Sequence, residues 1–196
     1  MNVQHINIKF FVKNPEDIKL EEYSGIFNDW IQRHVTPEVL IDVADYLHVH
    51  NGPGILLIGH EADYSLDNRL GRLGLLYNRK APLDGSVQEK LAQATHAALT
   101  AARVLEKENG LKFDAREVQV LINDRLLVPN TPETFAALEP DLRAFFDRLY
   151  NGIEYSLTYQ SIDPRERFSV AVKAAASIEI EALLKTLAAE KESMHA

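Results

Sequence analysis

Ile6, Ile8 and Phe10 alternate with His5, Asn7 and Lys9, the period-two pattern of a strand with one buried face, and a strand is expected over Val3 to Val12. The period then lengthens: Leu20, Tyr23, Phe27, Trp30 and Ile31 recur at helical spacing,. Strand-like runs follow at 39–50, 55–64 and 70–80, separated by turn residues. From Ser86 to Asn109 a three-four spacing links Val87, Leu91, Ala94, Ala98, Ala101 and Leu105, and Gly110 stands where a helix C-terminal glycine belongs,. The alanines imply close packing of that helix on its neighbour. After Gly110 come a strand over 117–127, a helix over 132–150 opened by Thr131-Pro132, strands over 153–160 and 168–173, and a last helix from about Ser177,.

This order is βαββα twice, with an extra strand or hairpin in the first copy. The fold class expected is α+β: two tandem ferredoxin-like units, 1–110 and 111–196, within one compact domain. The segment from Ile6 to Asn14 also aligns with Ile122 to Asn130 at an offset of 116, and at 115 the helix positions Leu20, Tyr23, Phe27, Trp30 and Ile31 fall on Phe135, Leu138, Leu142, Phe145 and Phe146,. Element order alone resembles the dimeric α/β-barrel architecture, which implies two sheets that face one another or join around a ligand or haem cavity. The second half has no histidine before His195, so it supplies no proximal haem ligand there.

A chain of 196 residues without cysteine, 46% hydrophobic and 26% charged, can build a substantial core and excludes a disulfide scaffold,. No apolar run approaches the roughly 20 residues that cross a bilayer. The N-terminus lacks a signal-peptide pattern, so a cytoplasmic protein without a membrane partner is expected. The formal net charge of −8, with no basic run, argues against nucleic acid as a partner,.

Polar faces supply the first candidate site. His5, Asn7 and Lys9 share one side of the opening strand; Gln119, Asn123 and Arg125 share one side of its counterpart; Glu154, Ser156, Thr158 and Gln160 form another row. Such faces are either open to water, as in many antiparallel sheets, or they line a cleft for an anionic or oxygen-rich small molecule. In the second case Asn7, Lys9, Asn123 and Arg125 are the substrate-binding residues.

The segment from Asp42 to Tyr64 holds three of the seven histidines, four carboxylates and two tyrosines. Closed as a hairpin by Asn51-Gly-Pro-Gly54, its opposed residue numbers sum to 105. Asp45 then faces His60, a carboxylate–imidazole pair suited to acid-base catalysis beside Tyr46. Asp42 faces Asp63, like charges that need a cation between them. His48 and His50, about 7 Å apart on one strand face, are candidate metal ligands with Asp42 and Asp63. A divalent metal is the cofactor this donor set suits. The plain alternatives are surface histidines and a pair that only sets strand register. Three functions compete: a metal-dependent or acid-base enzyme centred on this hairpin, a noncatalytic small-molecule-binding protein, and an assembly module forming a homo-oligomer. The density of titratable groups favours the first.

Overall fold

The alternating N-terminal segment forms β1 (Ile6–Val12), at the centre of the structure. In the computed structural model, which describes residues 3–194, it is followed by α1 (Tyr23–Arg33), β2 (Leu40–Asp45), β3 (Ile55–Gly59), β4 (Ala62–Asp67), β5 (Gly74–Arg79), α2 (Val87–Asn109), β6 (Phe113–Ile122), α3 (Pro132–Tyr150), β7 (Tyr155–Tyr159), β8 (Phe168–Ala174) and α4 (Ile180–Met194). All eight strands belong to one open antiparallel sheet, in the order β2-β3-β4-β5-β1-β6-β8-β7. The chain is thus α+β. Among the described residues no second sheet faces this one: strands from both halves join edge to edge through β1 and β6, and the facing arrangement is not adopted.

Local chemistry sets the helix ends. Ser86 accepts from the Glu89 amide while the Glu89 carboxylate accepts from the Ser86 amide at 2.7 Å, a reciprocal cap for α2,. Thr131 caps α3 in the expected place. None of the described helices is long and apolar enough to cross a membrane.

Residues opposed in an antiparallel pair share a sheet face. Ile6, Ile8 and Phe10 of β1, Leu75 and Tyr77 of β5, Val118 and Val120 of β6, and Val170 and Val172 of β8 therefore make one apolar face, all buried. Phe27 and Trp30 of α1, Leu91 to Leu105 of α2 and Phe145 and Phe146 of α3 join them in a single hydrophobic cluster through both halves. At burial level the helix correspondence holds: Tyr23, Phe27 and Trp30 are buried, as are Leu138, Leu142 and Phe145. The strand alignment does not hold. Ile122 ends β6 and the residues after it form turns, so Ile6 and Ile122 are cross-strand partners and not equivalent positions.

The opposite face carries Asn7, Lys9 and Phe11, and of its two expected states the one open to water is not adopted: every residue of β1 is buried. Two connections fold over this face from opposite ends of the strands, the β4–β5 turn at 68–73 and the β7–β8 connection at 160–167. Gly74 of β5, level with Phe11, makes room for the Lys9 side chain to cross β5 to Asp67 on β4. A Cβ at Gly74 would lie 2.8 Å from Lys9 Cε and 2.4 Å from the Phe10 carbonyl oxygen. Gly74→Ala is therefore expected to destabilise the fold by about 1–3 kcal/mol, the range for overpacking. A urea melt checks this, and an unchanged midpoint would show that the glycine is not needed there.

Candidate functional site

The helix-free face holds a cleft of about 450 Å³. Lys9 and Phe11 of β1, Leu76 of β5, Gln119 and Leu121 of β6 and Ser169 of β8 make its floor. One wall is Asp67, Arg69, Leu70 and Arg72; the other is Gln160, Ser161, Arg165, Glu166 and Arg167. Asn51 from the β2–β3 connection also reaches it.

Five cations thus line the cleft against two carboxylates, in a protein with a net charge of −8. Lys9 Nζ donates to Asp67 Oδ1 at 2.6 Å, with both side chains almost fully buried. Arg69 Nε lies 3.3 Å from Asp67 Oδ2, so two cations share one acid. Arg72 is paired with Glu117 at 2.8 Å, and its guanidinium stacks 3.8 Å from the centre of the Phe11 ring,. Arg165 is paired with Asp163 at 2.6 Å. Arg167 differs: among the described residues its guanidinium has no hydrogen bond or ion pair. Burial, and then repulsion from Arg69, depress its pKa against the attraction of Asp67, although a guanidinium stays charged. Burial likewise lowers the pKa of Lys9, outweighing the adjacent Asp67, and Arg69 and Arg72 push the same way,.

Of the expected substrate-binding residues, Lys9 lines the cleft. Asn7 lies on the same face, level with Asn78 and Leu121, fully buried and with neither amide atom hydrogen-bonded. Asn123 and Arg125 lie beyond the end of β6. Asn123 donates its backbone N–H to the His5 carbonyl, and Arg125 donates to the Arg165 carbonyl at 2.8 Å. Together with the Asn130 amide, which donates to the Asp163 carbonyl, Arg125 holds the wall in place and does not line the cavity.

The hairpin is built differently from its expected form. Opposed numbers sum to 100 for most of it, because β2 and β3 are joined by nine residues, 46–54, and not four. An odd shift reverses the faces of one strand relative to the other. Val43 accordingly meets Leu57, Asp45 meets Ile55, and Asp42 meets Ile58. The chain then reverses at His60-Glu61, where Gly59 permits an approach in which a Cβ would sit 2.3 Å from the Ala62 carbonyl oxygen. Asp63 consequently belongs to β4, bonded to Lys80 at 2.7 Å and opposite Asn78.

None of the expected pairings forms. Asp45 accepts from the Leu47 amide, while His60 is exposed and lies 3.6 Å from Glu61. Tyr46 stacks on His48 in the connection, and His48 and His50 are both exposed. Asp42, exposed, accepts from the Val43 amide. Among the described residues no three His, Cys, Asp or Glu side chains are grouped to hold a metal ion.

Asp67 was legible only as a turn residue, Arg72 only as part of the strand-like run at 70–80, and Arg165 and Arg167 only as part of a charged connection. Asp163-Pro-Arg-Glu-Arg167 is by sequence a charged connection of a kind that is usually solvated loop and can supply anion contacts,, but nothing local places it over the β1 face. The chain matches no protein-family model, no curated protein and no solved structure.

Two outcomes follow. Asp67→Asn leaves a buried cation without its acid and is expected to cost about 3–5 kcal/mol, whereas Lys9→Met combined with Asp67→Leu should recover most of that loss; denaturant melts of both variants decide it. His48→Ala with His50→Ala should change stability by no more than about 0.5 kcal/mol. Loss of a stoichiometric metal in that double variant, read by elemental analysis, would return the site to the hairpin.

Proposed function

We propose that this protein binds a small organic oxyanion in the cleft on its helix-free sheet face, with Arg167 holding the anionic head. The observation that carries this reading is the unpartnered guanidinium of Arg167, partly desolvated and pressed by Arg69. A charge withdrawn from water without a counter-ion is costly, and an anion in the cleft offsets that cost. Lys9 and Arg69 share Asp67, Arg72 has Glu117 and Arg165 has Asp163; with Glu166 also on the wall, four acids stand against the five cations, so the need left over is for about one negative charge. A carboxylate fits it, and its two oxygens match the guanidinium fork.

The rest of the cleft supports an organic body over a bare ion. Phe11, Leu76 and Leu121 offer apolar surface, and Gln119, Gln160 and Ser169 offer orienting polar groups. Its volume lies within the range of about 300–1,000 Å³ typical of small-molecule sites. Lys9 keeps its expected role as a polar group of this site, Asn7 lies buried on the same sheet face without lining the cleft, and Arg125 acts by positioning the opposite wall. The strand order supports a finer reading of the fold as well. Outward from the β1–β6 pair, β5 then β4 lie on one side and β8 then β7 on the other, as two ferredoxin-like units joined at their first strands would be, with the β2–β3 hairpin extending the first.

The test is thermal. A ligand that binds only the folded state stabilises it by about 2.7 kcal/mol at a hundredfold excess over Kd. A panel of carboxylates with apolar bodies should raise Tm more than chloride at equal ionic strength. Arg167→Gln should weaken the response at least tenfold in apparent Kd, about 1.4 kcal/mol. A panel without any effect, or an equal response from Arg167→Gln, would defeat the reading.

A further inference from the structure

We propose that Lys9 forms an imine with the keto carbon of a 2-oxo carboxylate held in this cleft, so that the protein's ligand class is the 2-oxo acids. This rests on the anion-binding reading above and adds covalent chemistry to it. Three features of the cleft floor converge on the amine. Lys9 is only 3% exposed, yet it lines the cavity, so its nitrogen is shielded from bulk water while open to a bound molecule. Its amine donates directly to Asp67 at 2.6 Å, giving the proton a local acceptor. Arg69 and Arg72 crowd it with positive charge, and burial together with that crowding disfavours the ammonium form, the environment that activates lysine toward carbonyl carbons.

A purely structural ion pair would be equally content beneath solid side chains. This one instead floors a cleft whose unpaired cation, Arg167, suits the carboxylate that a 2-oxo acid carries next to its keto group. The hydrogen-bond geometry also leaves Asp67 able to act. Oδ1 is bonded to Lys9, while Oδ2 is buried beside Arg69 Nε without a well-formed hydrogen bond.

The step balances without an oxidant or reductant. Asp67 takes one proton from the Lys9 ammonium, and the freed lone pair attacks the keto carbon. The C–N bond forms while the carbonyl oxygen collects that proton and a second one from nitrogen, both relayed through Asp67. The C–O bond then breaks, water leaves, and a protonated imine remains with the positive charge on nitrogen.

The experiment uses the full chain, with pyruvate, phenylpyruvate and 2-oxoglutarate as probes and lactate as the matched carboxylate without a keto group. Treatment with cyanoborohydride in the presence of each probe should give one reduced adduct per chain, found by peptide mapping on Lys9, and none with lactate. Lys9→Arg, which keeps a cation for Asp67, should abolish the adduct while remaining folded by circular dichroism. Absence of an adduct from all three 2-oxo acids, or adducts scattered over exposed lysines, overturns the proposal. If carboxylates still raise Tm in that case, the imine is wrong and the anion site survives; if no carboxylate raises Tm, the anion site itself has failed.

Discussion

A single buried ion pair organises the face of the sheet that carries the cleft. Lys9 sits at the middle of the central strand, on the face that the helices do not cover, and its charge has to be met within the protein. Asp67 meets it from two strands away, across a gap kept open by Gly74. A pair this deep in low-dielectric surroundings contributes little net stability compared with a hydrophobic substitute. Its presence in the floor of a cleft is therefore better understood through what the cleft does than through what it adds to folding.

The same pair explains how a protein with eight more acids than bases presents a cationic concavity. Asp67 is shared between Lys9 and Arg69, Glu117 is taken up by Arg72, and Asp163 by Arg165. Each neutralisation leaves Arg167 more conspicuous as the cleft-lining guanidinium without an ion pair among the described residues. On the proposed reading, the walls around that group would focus its field and draw a small anion to one place on an otherwise negative surface. The walls arrive from opposite ends of the strands, one as the β4–β5 turn and the other as the β7–β8 connection. Arg125 and Asn130 hold the latter from outside the cavity.

The hairpin at 42–64 shows the opposite relation between composition and site. Its histidines and acids are close in sequence, and proximity alone made it the richest candidate. Folded, they are dispersed: His48 and His50 stand on an exposed connection, His60 occupies a reversal of the chain, and Asp63 has moved to the next strand under Lys80. The difference comes from the β2–β3 connection being five residues longer than a tight turn at Asn51 to Gly54. Burial of Ile55 and Leu57 decides that register, because the competing one would turn both away from the core.

What the sequence by itself determined are the features carried by local periodicity and end chemistry. The α2 helix with Ser86 and Gly110, α3 with Thr131, the alternation of β1 and the apolar stripe of α1 all follow from side-chain spacing within one element. Periodicity also separated Asn7 and Lys9 from Ile6 and Ile8. Only the tertiary structure decided which strands adjoin, that both halves share one sheet, and that Asp67, Arg72 and Arg167 converge on Lys9. Those outcomes depend on pairing register and on where two connections fold, and such long-range choices are settled by burial of the whole apolar face, not by any segment's own pattern.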